Sequence, residues 1–241
     1  MSISPRPVQR SLVDFSFISA GNSNSTQDVK SKSSKLLFAA TIALWLILVS
    51  CGIVFMWNYQ NTAGAKGNPP NQWPQESRIK SIPQLPTLVL AIHPHCPCSR
   101  ATIGELALLM AHSQGLVNAN VLFVKPRGFS EDWEKTDLWR SAASIPGVKV
   151  MTDDNGVEAA LFGSQTSGQA MLYDFQGRLV FSGGMTNSRG HSGDNDGRSA
   201  ILSLLTTGTA MNKEAPVFGC PLFEAASQKP TEEFCNGVHP R

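Results

Sequence analysis

Residues 36–57 (LLFAATIALWLILVSCGIVFMW) form a continuous run without a charged side chain. As an α-helix rising about 1.5 Å per residue, the run spans roughly 33 Å, which is enough to cross the hydrocarbon core of a bilayer. It is apolar on every face and too long for a typical buried helix. A signal peptide would have a shorter apolar region followed closely by a cleavage site. We therefore expect an uncleaved transmembrane helix at 36–57.

The charges that flank this run predict its orientation. Lys30, Lys32 and Lys35 crowd its N-terminal side, whereas only Lys66 lies close on the other side. Because Lys and Arg next to a span stay cytoplasmic, we expect a single pass through a bacterial inner membrane, with the N-terminus in the cytoplasm and the rest in the periplasm. The net charge of +2 carries no information about nucleic acid, and because the sequence has no basic patch interleaved with aromatics, we expect no nucleic-acid partner.

Composition divides the 241 residues into five parts. A tail rich in Ser and Asn lacks hydrophobic periodicity, and a segment rich in Pro, Asn and Gly follows the apolar run. The predicted parts are a disordered cytoplasmic tail at 1–35, the transmembrane helix at 36–57, a flexible tether at 58–83, a folded domain at 84–210 and a C-terminal extension with two cysteines at 211–241.

The folded part alternates strand and helix signals in the order β-α-β-α-β-α-β-β-α. The predicted strands lie at 85–93, 117–126, 148–154 and in a hairpin at 169–184, and the predicted helices lie at 99–113, 130–145, 155–163 and 197–208. Ser130 is the expected N-cap of the second of these helices. Strands that alternate with helices pair in parallel through right-handed crossovers, and the last two strands are antiparallel. The sequence therefore predicts an α/β domain whose mixed sheet has helices on both faces.

Residues 92–100 (IHPHCPCSR) place two cysteines, separated by one proline, where a strand ends and a helix begins. The amino end of a helix offers unpaired N–H groups and a positive dipole, and both favour a thiolate. Cys96 is therefore the predicted attacking thiol and Cys98 the predicted resolving thiol, with positive charge added by Arg100 and by a protonated His95. A disulfide across one residue is strained, which predicts an easily reduced, oxidising couple.

The same stretch leaves other interpretations open. Cys96 and Cys98, together with His93 and His95, offer sulfur and imidazole ligands that suit Cu(I) or Zn(II). Four ligands from so short a stretch would be strained, so the metal alternative is a copper site with two or three of them. Both cysteines could also be buried packing residues. No nucleotide-binding glycine motif, P-loop or serine-hydrolase elbow points to a different catalytic class.

Two further cysteines lie towards the C-terminus. In an oxidising compartment, Cys220 and Cys235 are expected to form a structural disulfide that ties down the end of the chain. The alternative makes Cys220, which stands in the tripeptide GCP, a further resolving thiol that reaches Cys96 or Cys98. The sequence leaves both possibilities open.

Two stretches resemble the thioredoxin fold, and the resemblance covers about residues 84–210. CPCSRATIGEL (96–106) is similar to C-P-P-C-R-x-x-x-x-E-L of membrane-anchored periplasmic thiol–disulfide proteins, and MLYDFQGRLVFSGG (171–184) is similar to their hairpin. The chain also resembles redox proteins of the RedB type. This resemblance implies thiol–disulfide exchange with periplasmic protein thiols or disulfides, without an organic cofactor, through Cys96 as the attacking cysteine.

The chain departs from the family pattern at two places. The family's second cysteine falls on Ser99, one residue after Cys98. The family's cis-proline, which faces the cysteines and docks substrate, falls near Ser167 and Gly168, where the chain has no proline. We expect these two residues to contact substrate in its place. A scaffold that binds partner proteins at this position without turnover remains an alternative.

The loop 188–198 (SRGHSGDNDGR) precedes the last predicted helix. It is either a polar surface loop or a loop beside the site, in which His191 or Arg189 contacts substrate. Copper chaperones share the thioredoxin-like scaffold and use a distant histidine. If the chain is similar to them in function, His191 is the residue that would complete a copper site with the cysteines.

Overall fold

The computed structural model describes residues 24–223, with one compact unit ending at Ile53 and a second beginning at Val54. The order of strands and helices in the second unit is the predicted one. The elements are α1 (Asn24–Asn61), β1 (Thr87–Ile92), α2 (Ser99–His112), β2 (Asn118–Lys125), α3 (Asp137–Ala143), β3 (Val148–Asp154), α4 (Val157–Leu161), β4 (Gln169–Tyr173), β5 (Leu179–Gly183) and α5 (Asp196–Thr207).

Helix α1 contains the predicted apolar span. Its part from Ser34 to Asn61 is long and apolar enough to cross a membrane. The helix begins at Asn24, so residues 24–35 are helical and not part of a disordered tail. The remainder of the predicted tail, residues 1–23, lies outside the described residues.

The five strands form one mixed sheet in the order β3-β2-β1-β4-β5. Strands β1, β2 and β3 are parallel, while β4 is antiparallel to both β1 and β5. Leu90, near the middle of β1, pairs with Val121 of β2 on one side and with Ala170 of β4 on the other. This confirms the predicted fold class, and the domain is thioredoxin-like.

One face of the sheet packs against α2, α3 and α5. Leu90 of β1 meets a cluster that includes Leu106 and Leu109 of α2 and Ile201 of α5. Helix α5 is fixed at both ends, since the Asn195 side chain accepts a hydrogen bond from the Arg198 backbone N–H at 2.7 Å and a left-handed glycine follows the last turn. These helices leave the carboxyl end of β1, where the cysteines follow, at the edge of the core.

The opposite face is covered mostly by chain outside the predicted domain. All six residues of β1 are buried, so the sheet needs a cover on both faces. Helix α4 has only five residues and cannot provide it alone. Trp73 and Ile79 pack against Phe162 and Tyr173 on this face, with the Trp73 ring centroid 5.1 Å and 5.2 Å from those two rings. Leu222 is buried in an adjacent cluster.

The contacts of these flanking segments correct two predicted boundaries. Asn68 N donates to Gly163 O at 2.9 Å, and Trp73 N donates to Gly177 O at 2.8 Å. The buried Glu158 carboxylate accepts hydrogen bonds from the Ser77 hydroxyl and the Arg78 backbone N–H. The stretch 58–83 is therefore not a flexible tether over its whole length, and residues 217–222 of the predicted extension belong to the folded domain.

The helix predicted at 130–145 is shorter than its sequence pattern indicates. Residues 131–134 form turns, and α3 begins only at Asp137, so the expected N-cap at Ser130 is wrong. Tertiary contacts hold the turns. Glu134 is buried and accepts a hydrogen bond from the Thr152 hydroxyl, and the Thr136 hydroxyl donates to Pro94 O next to the cysteines.

Replacing Trp73 by alanine is expected to lower the free energy of unfolding by about 2–3 kcal/mol, because its indole fills the second face of the sheet. Urea unfolding of the protein in detergent, followed by circular dichroism, measures the loss. The matched control is Gln75→Ala at a neighbouring exposed position, which is expected to change stability by less than about 0.5 kcal/mol. Equal stability of both variants would contradict docking of this segment.

Candidate active site

The backbone turns between β1 and α2 around the two cysteines. Cys96 N donates to His93 O at 3.1 Å, and Ser99 N donates to Cys96 O at 3.0 Å. Helix α2 begins at Ser99, with Cys98 as its N-cap residue in a helical conformation. Cys96 therefore lies in the turn that leads into the helix, which agrees with the strand-to-helix junction predicted for it.

A segment from the C-terminal part of the chain, Gly219–Leu222, lies alongside residues 165–167. Ser167 N donates to Cys220 O at 2.8 Å, and Leu222 N donates to Gln165 O at 2.9 Å, as in antiparallel strands. A Cβ atom on Gly219 would lie 1.9 Å from Ser167 O, so only glycine allows this approach. We call Gly219–Leu222 the docked segment, and it carries Cys220 to the cysteines of the turn.

Three thiols meet at this point. Cys96 is 1% exposed and Cys98 is 9% exposed, while Cys220 is only partly buried. The donor groups beside the Cys96 sulfur are the thiols of Cys220 and Cys98, the Ser99 hydroxyl and the Cys220 backbone N–H. These donors hold the pKa of Cys96 far below that of an ordinary thiol, although burial acts in the opposite direction. The direction of this pKa shift favours the thiolate form of Cys96.

The pKa values of the two neighbouring thiols shift in the opposite direction. The pKa values of Cys98 and Cys220 are raised, first because each thiol donates its proton to the Cys96 sulfur and second because both are buried. The Arg189 guanidinium favours the anionic form of both and partly offsets this effect. Arg189 also donates to Gly219 O at 2.5 Å, which fixes the guanidinium beside the docked segment. The site therefore holds one anion, two proton donors and one cation.

The residues that were expected to add positive charge to Cys96 have other partners. Arg100 forms an exposed ion pair with Asp137. The His95 ring packs against Trp133 with centroids 4.5 Å apart and hydrogen-bonds to Trp133 O at 3.1 Å. A contribution of Arg100 or His95 to the charge around Cys96 stays a prediction, and the groups that lower the pKa of Cys96 most are Cys220 and Cys98.

The alternative metal set is not assembled. Among residues 34–223, no group of three or more His, Cys, Asp or Glu side chains is arranged to hold a metal ion. His93 accepts a hydrogen bond from His95 N through Nδ1 at 3.2 Å, and its pKa is lowered chiefly by burial. Because His95 is engaged with Trp133, the two imidazoles do not converge with Cys96 and Cys98 on one point.

The predicted substrate-binding residues lie in different environments. Ser167 is buried, and its hydroxyl accepts from His93 N and pairs with the Ser99 hydroxyl, each at 2.7 Å. Gly168 is buried at a φ of +94°, which a proline could not adopt. His191 is exposed on its loop. Substrate contact by these three residues stays a prediction, and the backbone edge at Ser167 is occupied by the docked segment.

For two residues of the site, the sequence suggests a role but does not predict their position near Cys96. The sequence offers Cys220 as a resolving thiol and Arg189 as a substrate contact, and the structure brings both to the cysteines. Ser99 is not predicted as a donor group for Cys96, because the sequence marks it only as the position of the family's second cysteine. Cys235 lies outside the described residues, so the Cys220–Cys235 disulfide stays a prediction, while Cys220 has a free thiol in the structure.

We expect the reduced protein to show one thiolate at pH 7, visible by its ultraviolet absorbance and lost in Cys96→Ser. Because the largest stabilising contribution comes from the Cys220 thiol, Cys220→Ala should raise the midpoint of this titration by roughly 1–2 pH units, as expected for a hydrogen bond to a charged group. Cys51→Ser, on the apolar helix, serves as the control that leaves the curve unchanged. A wild-type midpoint near the ordinary thiol value of about 8.5 would contradict the stabilised thiolate.

No protein-family model matches the sequence, and no curated protein matches it significantly. The chain is similar to a solved hypothetical protein from Sinorhizobium meliloti, with 20% identity, a TM-score of 0.51 and coverage of 68% of this chain and 96% of that one. An uncharacterized conserved protein from Geobacillus kaustophilus has 17% identity, a TM-score of 0.50 and coverage of 70% and 95%. A secreted disulfide oxidoreductase of Mycobacterium tuberculosis has 11% identity, a TM-score of 0.37 and coverage of 52% of this chain and 83% of that one. These similarities concern the fold, which is thioredoxin-like.

Proposed function

We propose that this protein is a membrane-anchored periplasmic thiol–disulfide oxidoreductase that oxidises protein dithiols, with Cys96 as the central sulfur of its redox site. The proposal is supported by a thioredoxin-like domain in which three thiols and an arginine meet at the end of β1. The observation that carries it is the docked segment, which brings Cys220 and Arg189 to the turn of Cys96, and the lowered pKa of Cys96 agrees with it.

The stabilised thiolate determines the direction of electron flow in this proposal. Hydrogen bonds to the Cys96 anion lower the free energy of the reduced protein, because the oxidised protein has no thiolate to receive them. A disulfide whose reduced form is stabilised in this way is a strong oxidant. A sulfur with a low pKa is also a fast leaving group when a disulfide is attacked. Both effects favour oxidation of substrate dithiols over reduction of substrate disulfides.

The proposed reaction transfers two electrons from the substrate to the protein. A substrate thiolate attacks the disulfide that contains Cys96, forms a mixed disulfide and expels the Cys96 thiolate. The second substrate thiolate then attacks the substrate sulfur of the mixed disulfide and releases the second protein thiolate, which takes up a proton. The products are a substrate disulfide and a reduced protein, and exchange with another disulfide regenerates the oxidised form. By its position in the sequence Cys98 is one candidate for the second protein sulfur, and Cys220 is the other.

The copper alternative lacks a comparable supporting observation. Its histidine ligands are engaged with each other and with Trp133, and no metal-holding group exists among the described side chains. The scaffold alternative required an empty docking edge at Ser167, and the docked segment fills that edge. Thiol chemistry therefore explains more of the site than either alternative.

The reduction potential tests the proposed direction. We expect a value less negative than that of thioredoxin, roughly −270 mV, when the protein is equilibrated with glutathione buffers. Cys96→Ser is expected to abolish oxidation of a model dithiol peptide, whereas Cys51→Ser is expected to keep the wild-type rate. A potential at or below that of thioredoxin, or full activity of Cys96→Ser, would refute the proposal.

The proposed location is tested separately. The apolar helix and the lysines before it predict that the C-terminal domain is periplasmic. Alkaline phosphatase fused to the C-terminus should then be active, because its disulfides form only in an oxidising compartment. A fusion ahead of residue 36 is the matched control and should be inactive. The reverse pattern would place the domain in the cytoplasm.

A further inference from the structure

We infer that Cys220 is the disulfide partner of Cys96 in the oxidised protein and the sulfur at which a substrate thiolate attacks. This inference rests on the proposed function, which it deepens by naming the second redox cysteine and the point of entry. It replaces the Cys96–Cys98 pair expected from the sequence. The docked segment, the burial of the three sulfurs and the position of Arg189 carry it.

The docked segment holds Cys220 in a defined register. Backbone hydrogen bonds from Ser167 N to Cys220 O and from Leu222 N to Gln165 O hold the segment from Cys220 onwards, and the Arg189 guanidinium donates to Gly219 O just before it. The Ser167 bond exists only because this position has a backbone N–H, which a proline would lack. The departure of the chain from the cis-proline pattern is thus directly linked to the placement of Cys220.

Cys220 can reach Cys96 with less distortion than Cys98 can. Cys96 and Cys98 belong to one tight turn, held by hydrogen bonds from Ser99 N to Cys96 O and from Arg100 N to Pro97 O. A disulfide between them would have to bridge a single residue inside that turn. Cys220 comes from a separate segment that is paired through its backbone with Ser167, and its thiol is the first donor group beside the Cys96 sulfur.

Burial identifies the sulfur that is attacked. Cys96 is 1% exposed and therefore closed to a thiol on another protein, whereas Cys220 is partly exposed. The Arg189 guanidinium, held against Gly219 O, places a positive charge beside Cys220 that attracts an approaching thiolate. Attack at Cys220 breaks the Cys96–Cys220 bond and expels Cys96 as the stabilised thiolate. The substrate is then joined to Cys220, and its second thiolate releases Cys220, which takes up a proton.

Disulfide mapping tests the pairing directly. The full-length protein in detergent is oxidised with oxidised glutathione, its remaining thiols are alkylated, and its peptides are analysed by mass spectrometry without reduction. We expect a Cys96–Cys220 crosslink in the wild type and in Cys98→Ser and Cys235→Ser. A Cys96–Cys98 or Cys220–Cys235 crosslink in place of it would overturn the inference. None of these samples alters Cys220, so a folding defect of a Cys220 variant cannot affect the result.

Kinetics of dithiol oxidation test the role of each cysteine. Cys220→Ala should slow oxidation of a model dithiol peptide by at least about tenfold, whereas the control Cys51→Ser, on the apolar helix outside the site, should stay within about twofold of the wild type. Wild-type activity in Cys220→Ala would overturn the inference and leave the proposed function standing. A wild type that forms the Cys96–Cys220 crosslink but oxidises no dithiol would refute the proposed function and leave the pairing standing.

Discussion

The buried Ser167 joins the three parts of the chain that make the site. Its hydroxyl accepts from His93 N at the end of β1 and pairs with the Ser99 hydroxyl at the start of α2, and its backbone N–H donates to Cys220 O. Without these bonds the strand end, the helix start and the docked segment would have no common anchor. The arrangement of the thiols therefore depends on a residue that carries no redox chemistry itself.

The charges of the site are balanced within a small volume. The donor groups beside Cys96 are two thiols, a hydroxyl and a backbone N–H, and they favour its anionic form without a directly paired cation. The Arg189 guanidinium lies next to Cys98 and Cys220. The loop that carries Arg189 is also held by α2, because Gly193 N in this loop donates to the buried Glu105 carboxylate at 2.8 Å. A stabilised anion surrounded by neutral donors is the feature from which the proposed oxidising character follows.

The sheet explains why the flanking segments are part of the domain. Its central strand is buried on both faces, and the short helix α4 leaves much of the second face without cover. Trp73 and Ile79 from one flank and Leu222 from the other supply the missing apolar contacts. Packing of Leu222 in turn keeps the docked segment, and with it Cys220, close to the turn of Cys96. Core packing and the candidate site are thus connected through one short stretch of chain.

The amino-acid sequence by itself determined the order of strands and helices, the apolar helix, and the junction that holds Cys96 and Cys98. These features are readable because they depend on local periodicity and on residues adjacent in the chain. Tertiary structure alone decided that α3 begins at Asp137, that the segment around Trp73 is docked, and that Cys220 and Arg189 meet Cys96. Such outcomes depend on contacts between residues far apart in the chain, where burial and backbone hydrogen bonding override the local preference for a loop or a helix.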